Sequence, residues 1–86
     1  MITQVDLDNW FVYHSPRPGQ QERYLALRQA AKHFAEVAVA CTDGSADQTY
    51  GIRLIRQAVM TFNQGIACET EAQSERFVTA KVNTSP

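Results

Sequence analysis

No stretch of this chain reaches the ~18 consecutive apolar residues that mark a membrane-crossing helix, so no transmembrane span is expected. Charge of one sign is also missing: 8 Lys and Arg face 9 Asp and Glu, for a formal net charge of −1. Such a balance gives no overall pull toward a nucleic acid or an anionic membrane, so any anion site has to be local. Cysteine is scarce, with only Cys41 and Cys68, and no C-x-x-C occurs. His14 and His33 share no metal-ligand spacing with either cysteine or with each other. No metal and no cofactor is expected. The opening MITQVDLDNW lacks the basic and then apolar run of a secretory leader. The expected location is the cytosol, where thiols stay reduced. The 86 residues allow one domain, near the size at which a single core is marginal. Chains this small often lean on a staple, a metal or a partner subunit.

What the chain does have is helical periodicity. From Gln20 to Cys41, the residues Tyr24, Leu27, Ala31, Phe34, Ala38 and Cys41 step by 3, 4, 3, 4 and 3, which places them on one helix face. Pro18 and Gly19 stand just before this helix. Gly44, in the TDGS that follows, suits the left-handed conformation that ends a helix. Ser45-Ala46-Asp47-Gln48 then has the form of a capping box. It opens a second helix over 46–68, in which Ile52, Ile55, Val59, Phe62 and Ile66 repeat the spacing. Two helices of roughly 22 residues, each about 33 Å long, joined by a short turn make an antiparallel hairpin. Its geometry sets Cys41 and Cys68 about 35 Å apart, beyond disulfide reach, and each is expected to be a small core residue.

The expected fold is all-α. An arm over 1–19 has a short helix capped at Thr3–Asp6, the hairpin covers 20–68 (20–41 and 46–68), and a C-terminal tail covers 69–86. Trp10 and Phe11 are expected to anchor the arm to the hairpin. In the tail, Phe77, Val78 and Val82 suggest either a small extended segment or a mobile end. Leu25, Ala35 and Val39, with Tyr50, Leu54 and Met60, lie off the main faces and leave apolar surface over. A compact homo-oligomer is therefore expected.

Covalent or acid–base catalysis needs a nucleophile and a base within reach of each other, and no such set has a recognisable spacing here. The chain is not expected to be an enzyme. Binding residues are better represented. Arg28 and Lys32 stand at i, i+4 on the first helix, with Arg23 before them; Arg53 and Arg56 stand at i, i+3 on the second, in a row continued by Met60 and Asn63. Bases one turn apart converge on a phosphate, or else form a solvated face paired with Glu22, Glu36 or Asp47. Tyr13 and His14 precede the Pro16–Gly19 turn, where a tyrosine is placed to stack on a base and a histidine to donate to a phosphate, or to do neither.

The run aromatic-Tyr13-His14-x-Pro16, followed by Gln20, Glu22-Arg23-Tyr24, Leu27-Arg28 and Ala30-Ala31-Lys32, resembles the opening of the phage helical-hairpin family of anti-defence sponges. Ala58-Val59-Met60, Asn63 and Ile66-Ala67 continue the likeness, which covers residues 9–68. The compact length looks more like the anti-CBASS branch than the anti-Thoeris branch. The resemblance implies sequestration, without cleavage, of cyclic oligonucleotide second messengers in the cytoplasm of an infected bacterium. It implies a homo-oligomer, a hexamer in the family, with no DNA or RNA polymer and no membrane as partner. For cyclic dinucleotides such as cyclic GMP-AMP it implies Tyr13 as the stacking residue with His14 beside it, and Arg28 with Lys32 on the phosphates. For cyclic trinucleotides it implies a second site at Arg53, Arg56 and Asn63. The chain departs from the family pattern at His14 and at Thr61-Phe62, positions that bear on base preference. The alternatives are a sponge for cyclic ADP-ribose isomers, or a helical protein-binding adaptor with no nucleotide ligand.

Overall fold

The computed structural model describes the backbone of residues 1–84 and the side chains of residues 1–77. The fold among these residues is all-α: α1 (Gln4–Trp10), α2 (Gln20–Cys41), α3 (Ala46–Ala67) and α4 (Glu71–Thr84), with α2 and α3 packed as an antiparallel hairpin. No described helix is long and apolar enough to cross a membrane.

Each helix start is written in local chemistry. Thr3 Oγ1 accepts from Asp6 N at 3.2 Å while Asp6 Oδ2 accepts from Thr3 N at 2.9 Å, a reciprocal capping box that opens α1. At the head of α2, Gly19 takes φ 85°, a left-handed conformation that glycine adopts without a Cβ clash. Ser45 Oγ accepts from Gln48 N at 3.2 Å to open α3.

Three local expectations are corrected. Gly44 does not adopt a positive φ. Instead α2 ends at Cys41 and is capped by Thr42, in extended backbone, and the side chain of Gln48 donates to Thr42 O at 3.1 Å and Thr42 Oγ1 at 3.0 Å. The orphan carbonyl at the helix end is thus met from the next helix. The segment around Phe77, expected as an extended piece or mobile end, lies in α4. Its start is a second reciprocal box, with Gln73 N donating to Thr70 Oγ1 at 3.2 Å and Thr70 N to Gln73 Oε1 at 2.8 Å. Residues 85 and 86 of the expected tail lie outside the described residues. The cysteines, both free, are not core residues: Cys41 is exposed, and Cys68 is half-buried with its thiol taking a 3.1 Å bond from Gln64 Nε2.

The hairpin leaves its apolar interior open. Leu27, Phe34, Ile52, Ile55, Val59 and Phe62, drawn from the two expected inward faces, line a groove of about 1170 Å³. Phe34 is 61% and Phe62 60% exposed, and Ile66 is the one buried large apolar side chain among the described residues. A core of that size offers little of the transfer free energy that offsets chain entropy.

Candidate functional site

The arm is tied to the hairpin through hydrogen bonds to backbone carbonyls. Asn9 Nδ2 donates to Cys68 O at 3.1 Å, Gln64 Nε2 to Trp10 O at 3.4 Å, and Arg17 Nη1 to Glu69 O. Phe11 is 84% exposed and Trp10 41%. Of the two expected aromatic anchors, Phe11 faces water and Trp10 is about half covered; amide and guanidinium hydrogen bonds at the carbonyl-rich end of α3 add to the attachment, because those carbonyls lack helical partners.

This docking fixes the loop that carries Tyr13. His14 Nε2 lies 2.6 Å from Asn9 O and, as the protonated nitrogen, donates to it. Tyr13 is 82% exposed and free to meet a flat ligand. His14 is half-buried and its Nε2 is committed to the arm, so only Nδ1 is left for anything else. Arg28 and Lys32 are exposed on α2, as are Arg53 and Arg56 on α3, and none of the four forms an ion pair among the described residues. No hydrogen bond among these residues joins Tyr13 to Arg28 or Lys32. None of the seven expected ligand residues lines the apolar groove. Asn63 is half-buried, and its Oδ1 is buried with no hydrogen-bond partner among the described residues. The described residues contain no group of three His, Cys, Asp or Glu placed to hold a metal.

Arg23, which precedes Arg28 and Lys32 on α2 and with Lys32 is a weaker candidate than Arg28, is occupied. Its guanidinium donates from Nη1 and Nη2 to the two Glu69 carboxylate oxygens, at 2.6 and 2.8 Å, and lies 3.8 Å from the centroid of the Phe77 ring. Gln20, 2% exposed, completes the knot: its Nε2 donates to Ile66 O at 2.9 Å and Glu69 Oε1 at 3.0 Å, and its Oε1 accepts from Arg17 N at 2.8 Å. Arg17, Gln20, Arg23 and Glu69 thus tie the head of α2 to the α3–α4 junction, beside the arm. The signal for this lay in Thr70-x-x-Gln73: a helix starting there puts Glu69 at a junction instead of in a tail.

Arg23 hydrogen bonding holds the Glu69 carboxyl down at about 2, from an ordinary 4.5; burial opposes the shift, while Gln20, the Arg23 charge and Ser74 add to it. A carboxyl depressed in the folded state stabilises the fold fully above its unfolded value, and that contribution is lost as pH falls through the folded one. Urea midpoints should therefore fall between pH 4.5 and 2, and Glu69→Gln should flatten that part of the profile relative to wild type. Parallel profiles would show that Glu69 does not carry the acid sensitivity.

The comparisons add no relative: no family model, no curated protein and no solved structure matches this chain.

Proposed function

We propose that this protein sequesters cyclic oligonucleotide second messengers without cleaving them, as the likeness of residues 9–68 to the phage anti-CBASS sponges implies. The observation that carries the reading is Tyr13: a tyrosine 82% exposed, on a loop pinned by His14 and Asn9 and followed directly by the helix bearing Arg28 and Lys32, which form no ion pair among the described residues. A cyclic dinucleotide has two flat bases and two phosphates. Stacking on one tyrosine and charge-assisted bonds from one arginine per subunit would meet both halves at a twofold interface. His14 then acts by holding Tyr13 in place. Arg53, Arg56 and the unpaired Asn63 Oδ1, which requires an N–H donor such as a base amino group, form the proposed trinucleotide site. The working form is a homo-oligomer, since one chain leaves its groove open.

Titration calorimetry against cyclic dinucleotides, cyclic trinucleotides and cyclic ADP-ribose isomers tests this, with intact ligand recovered after heat denaturation. Binding of a cyclic dinucleotide is the expected result. Binding of cyclic ADP-ribose isomers alone would move the protein to the anti-Thoeris class. No binding to any of them would favour a protein-binding adaptor, the reading supported by the open apolar groove.

A further inference from the structure

Tyr13 sits in a segment that is held from its two sides. From Phe11 to Arg17 the chain is non-helical, and Val12, Tyr13 and Ser15 form no hydrogen bond among the described residues. On the upstream side, Asn9 Nδ2 donates to Cys68 O at 3.1 Å, and Asn9 O accepts from His14 Nε2 at 2.6 Å. On the downstream side, Arg17 Nη1 donates to Glu69 O, and Arg17 N donates to Gln20 Oε1 at 2.8 Å. The carbonyls that receive these two clamps belong to neighbouring residues, Cys68 and Glu69, at the junction of α3 and α4. The stretch between the clamps is stiff at its downstream end. Pro16 locks its own φ and drives Ser15 toward extended backbone, and Pro18 restricts Arg17 in the same way. A fixed Arg17 therefore limits where His14 and Tyr13 can go. The junction is in turn held by α4: the side chain of Ser74, 4% exposed, hydrogen-bonds the Glu69 carboxylate, and the Phe77 ring lies against the Arg23 guanidinium that grips it.

We propose that Arg17 is a positioning residue for the ligand site: through Glu69 O it ties the Tyr13 loop to the α3–α4 junction, so that α4, which supplies none of the proposed ligand contacts, sets the pose of Tyr13. A loop free to swing offers its binding pose for only a fraction of the time, and apparent affinity falls by that fraction. Fixing the pose beforehand removes the cost of ordering the loop from the binding step. Arg17 itself is half-buried with Nη1 committed to Glu69 O, so it acts through Tyr13 and not on the ligand. The inference rests on the role of Tyr13 in the preceding reading, whereas the clamp requires no ligand.

Two variants of the full chain test it. Arg17→Met keeps the side-chain stem and removes the donors, while Arg17→Lys keeps a donor at the end of a flexible stem. Limited digestion with chymotrypsin, without ligand, reads the loop, because cleavage after Phe11 and Tyr13 requires the segment to open. Phe34 on α2 and Phe62 on α3 are exposed but helical, so cleavage there reports opening of the hairpin instead. Losing one charge-assisted hydrogen bond should raise nicking at Phe11 and Tyr13 about tenfold in Arg17→Met. Arg17→Lys should bring the rate back toward wild type, and cleavage at Phe34 and Phe62 should not change. Calorimetry should then give about tenfold weaker cyclic dinucleotide binding for Arg17→Met, as for a pose held about a tenth of the time. An unchanged nicking rate in Arg17→Met would overturn the proposal, as would Arg17→Lys nicked as fast as Arg17→Met. Equal acceleration at Phe34 and Phe62 would overturn it too, by making Arg17 a general support of the fold. So would wild-type affinity in a variant whose loop has been freed. If the wild-type protein binds no cyclic dinucleotide, the preceding reading fails, and the digestion still decides whether Arg17 holds the loop.

Discussion

Gln20→Ala should lower the free energy of unfolding by about 2–3 kcal/mol, the largest loss expected from any single side chain outside the groove. Gln20 is 2% exposed, and its amide serves three partners at once: Arg17 N, Ile66 O and Glu69 Oε1. Truncation leaves the half-buried Arg17 N–H without its acceptor and takes a donor from the buried Ile66 O, together a cost of ~1–3 kcal/mol, and opens a void whose lining loses its contacts. Gln20→Met keeps most of the volume and removes only the hydrogen bonds, so it should recover part of the loss. Gln20→Glu sets a second carboxylate beside Glu69 and should cost at least as much as Ala. Urea titrations at one fixed protein concentration measure all three, since self-association shifts apparent stability with concentration. A Gln20→Ala midpoint equal to wild type would show that the arm and the α3–α4 junction are held by other contacts.

Tyr13→Ala should weaken cyclic dinucleotide binding by about 10- to 100-fold, because stacking a base on an aromatic ring contributes ~1–3 kcal/mol and each tenfold is ~1.4 kcal/mol. Arg28→Ala should do the same through the phosphates, where a hydrogen bond to a charged group is worth ~1.5–3 kcal/mol. Both side chains are exposed and neither takes part in the Gln20–Glu69 knot, so helicity and thermal stability should stay at wild-type values. Calorimetry on the same variants with a cyclic trinucleotide separates the two proposed sites: Arg53→Ala should abolish that binding and Tyr13→Ala should spare it. The opposite pattern would merge the sites into one.

Much of the hairpin was legible because its determinants are local. The 3–4 spacing of Leu27, Ala31, Phe34 and Ala38 and of Ile52, Ile55, Val59 and Phe62 reflects a helical repeat that holds whatever lies nearby. The boxes at Thr3 and Ser45 act within three residues. The box at Thr70 acts over the same distance, and its pattern was equally present in the sequence. No apolar periodicity marks the helix it opens, because the apolar spacing after it fades and α4 is mostly polar where it begins. Arg28, Lys32, Arg53 and Arg56 were legible as exposed bases on helical faces, since charges at that spacing face water unless a partner intervenes.

Burial and partnership were not legible in the same way, because they depend on what approaches from a distance along the chain. Arg23 and Arg28 look alike as bases on α2, yet a residue 46 positions away claims Arg23 and none among the described residues claims Arg28. Trp10 and Phe11 read alike as anchors by composition, yet Phe11 is left facing water, Trp10 is about half covered, and Asn9, Gln64 and Arg17 supply the hydrogen bonds that tie the arm down. The amino-acid sequence by itself determined the α2–α3 hairpin, the N-caps of α1 and α3, and the basic side chains that face water on both long helices, all through interactions within a helical turn. Only the tertiary structure decided that Glu69 captures Arg23 and Gln20, that Tyr13 stays exposed while His14 is tied down, and that the groove lies open, because each of these turns on which distant group arrives and which does not.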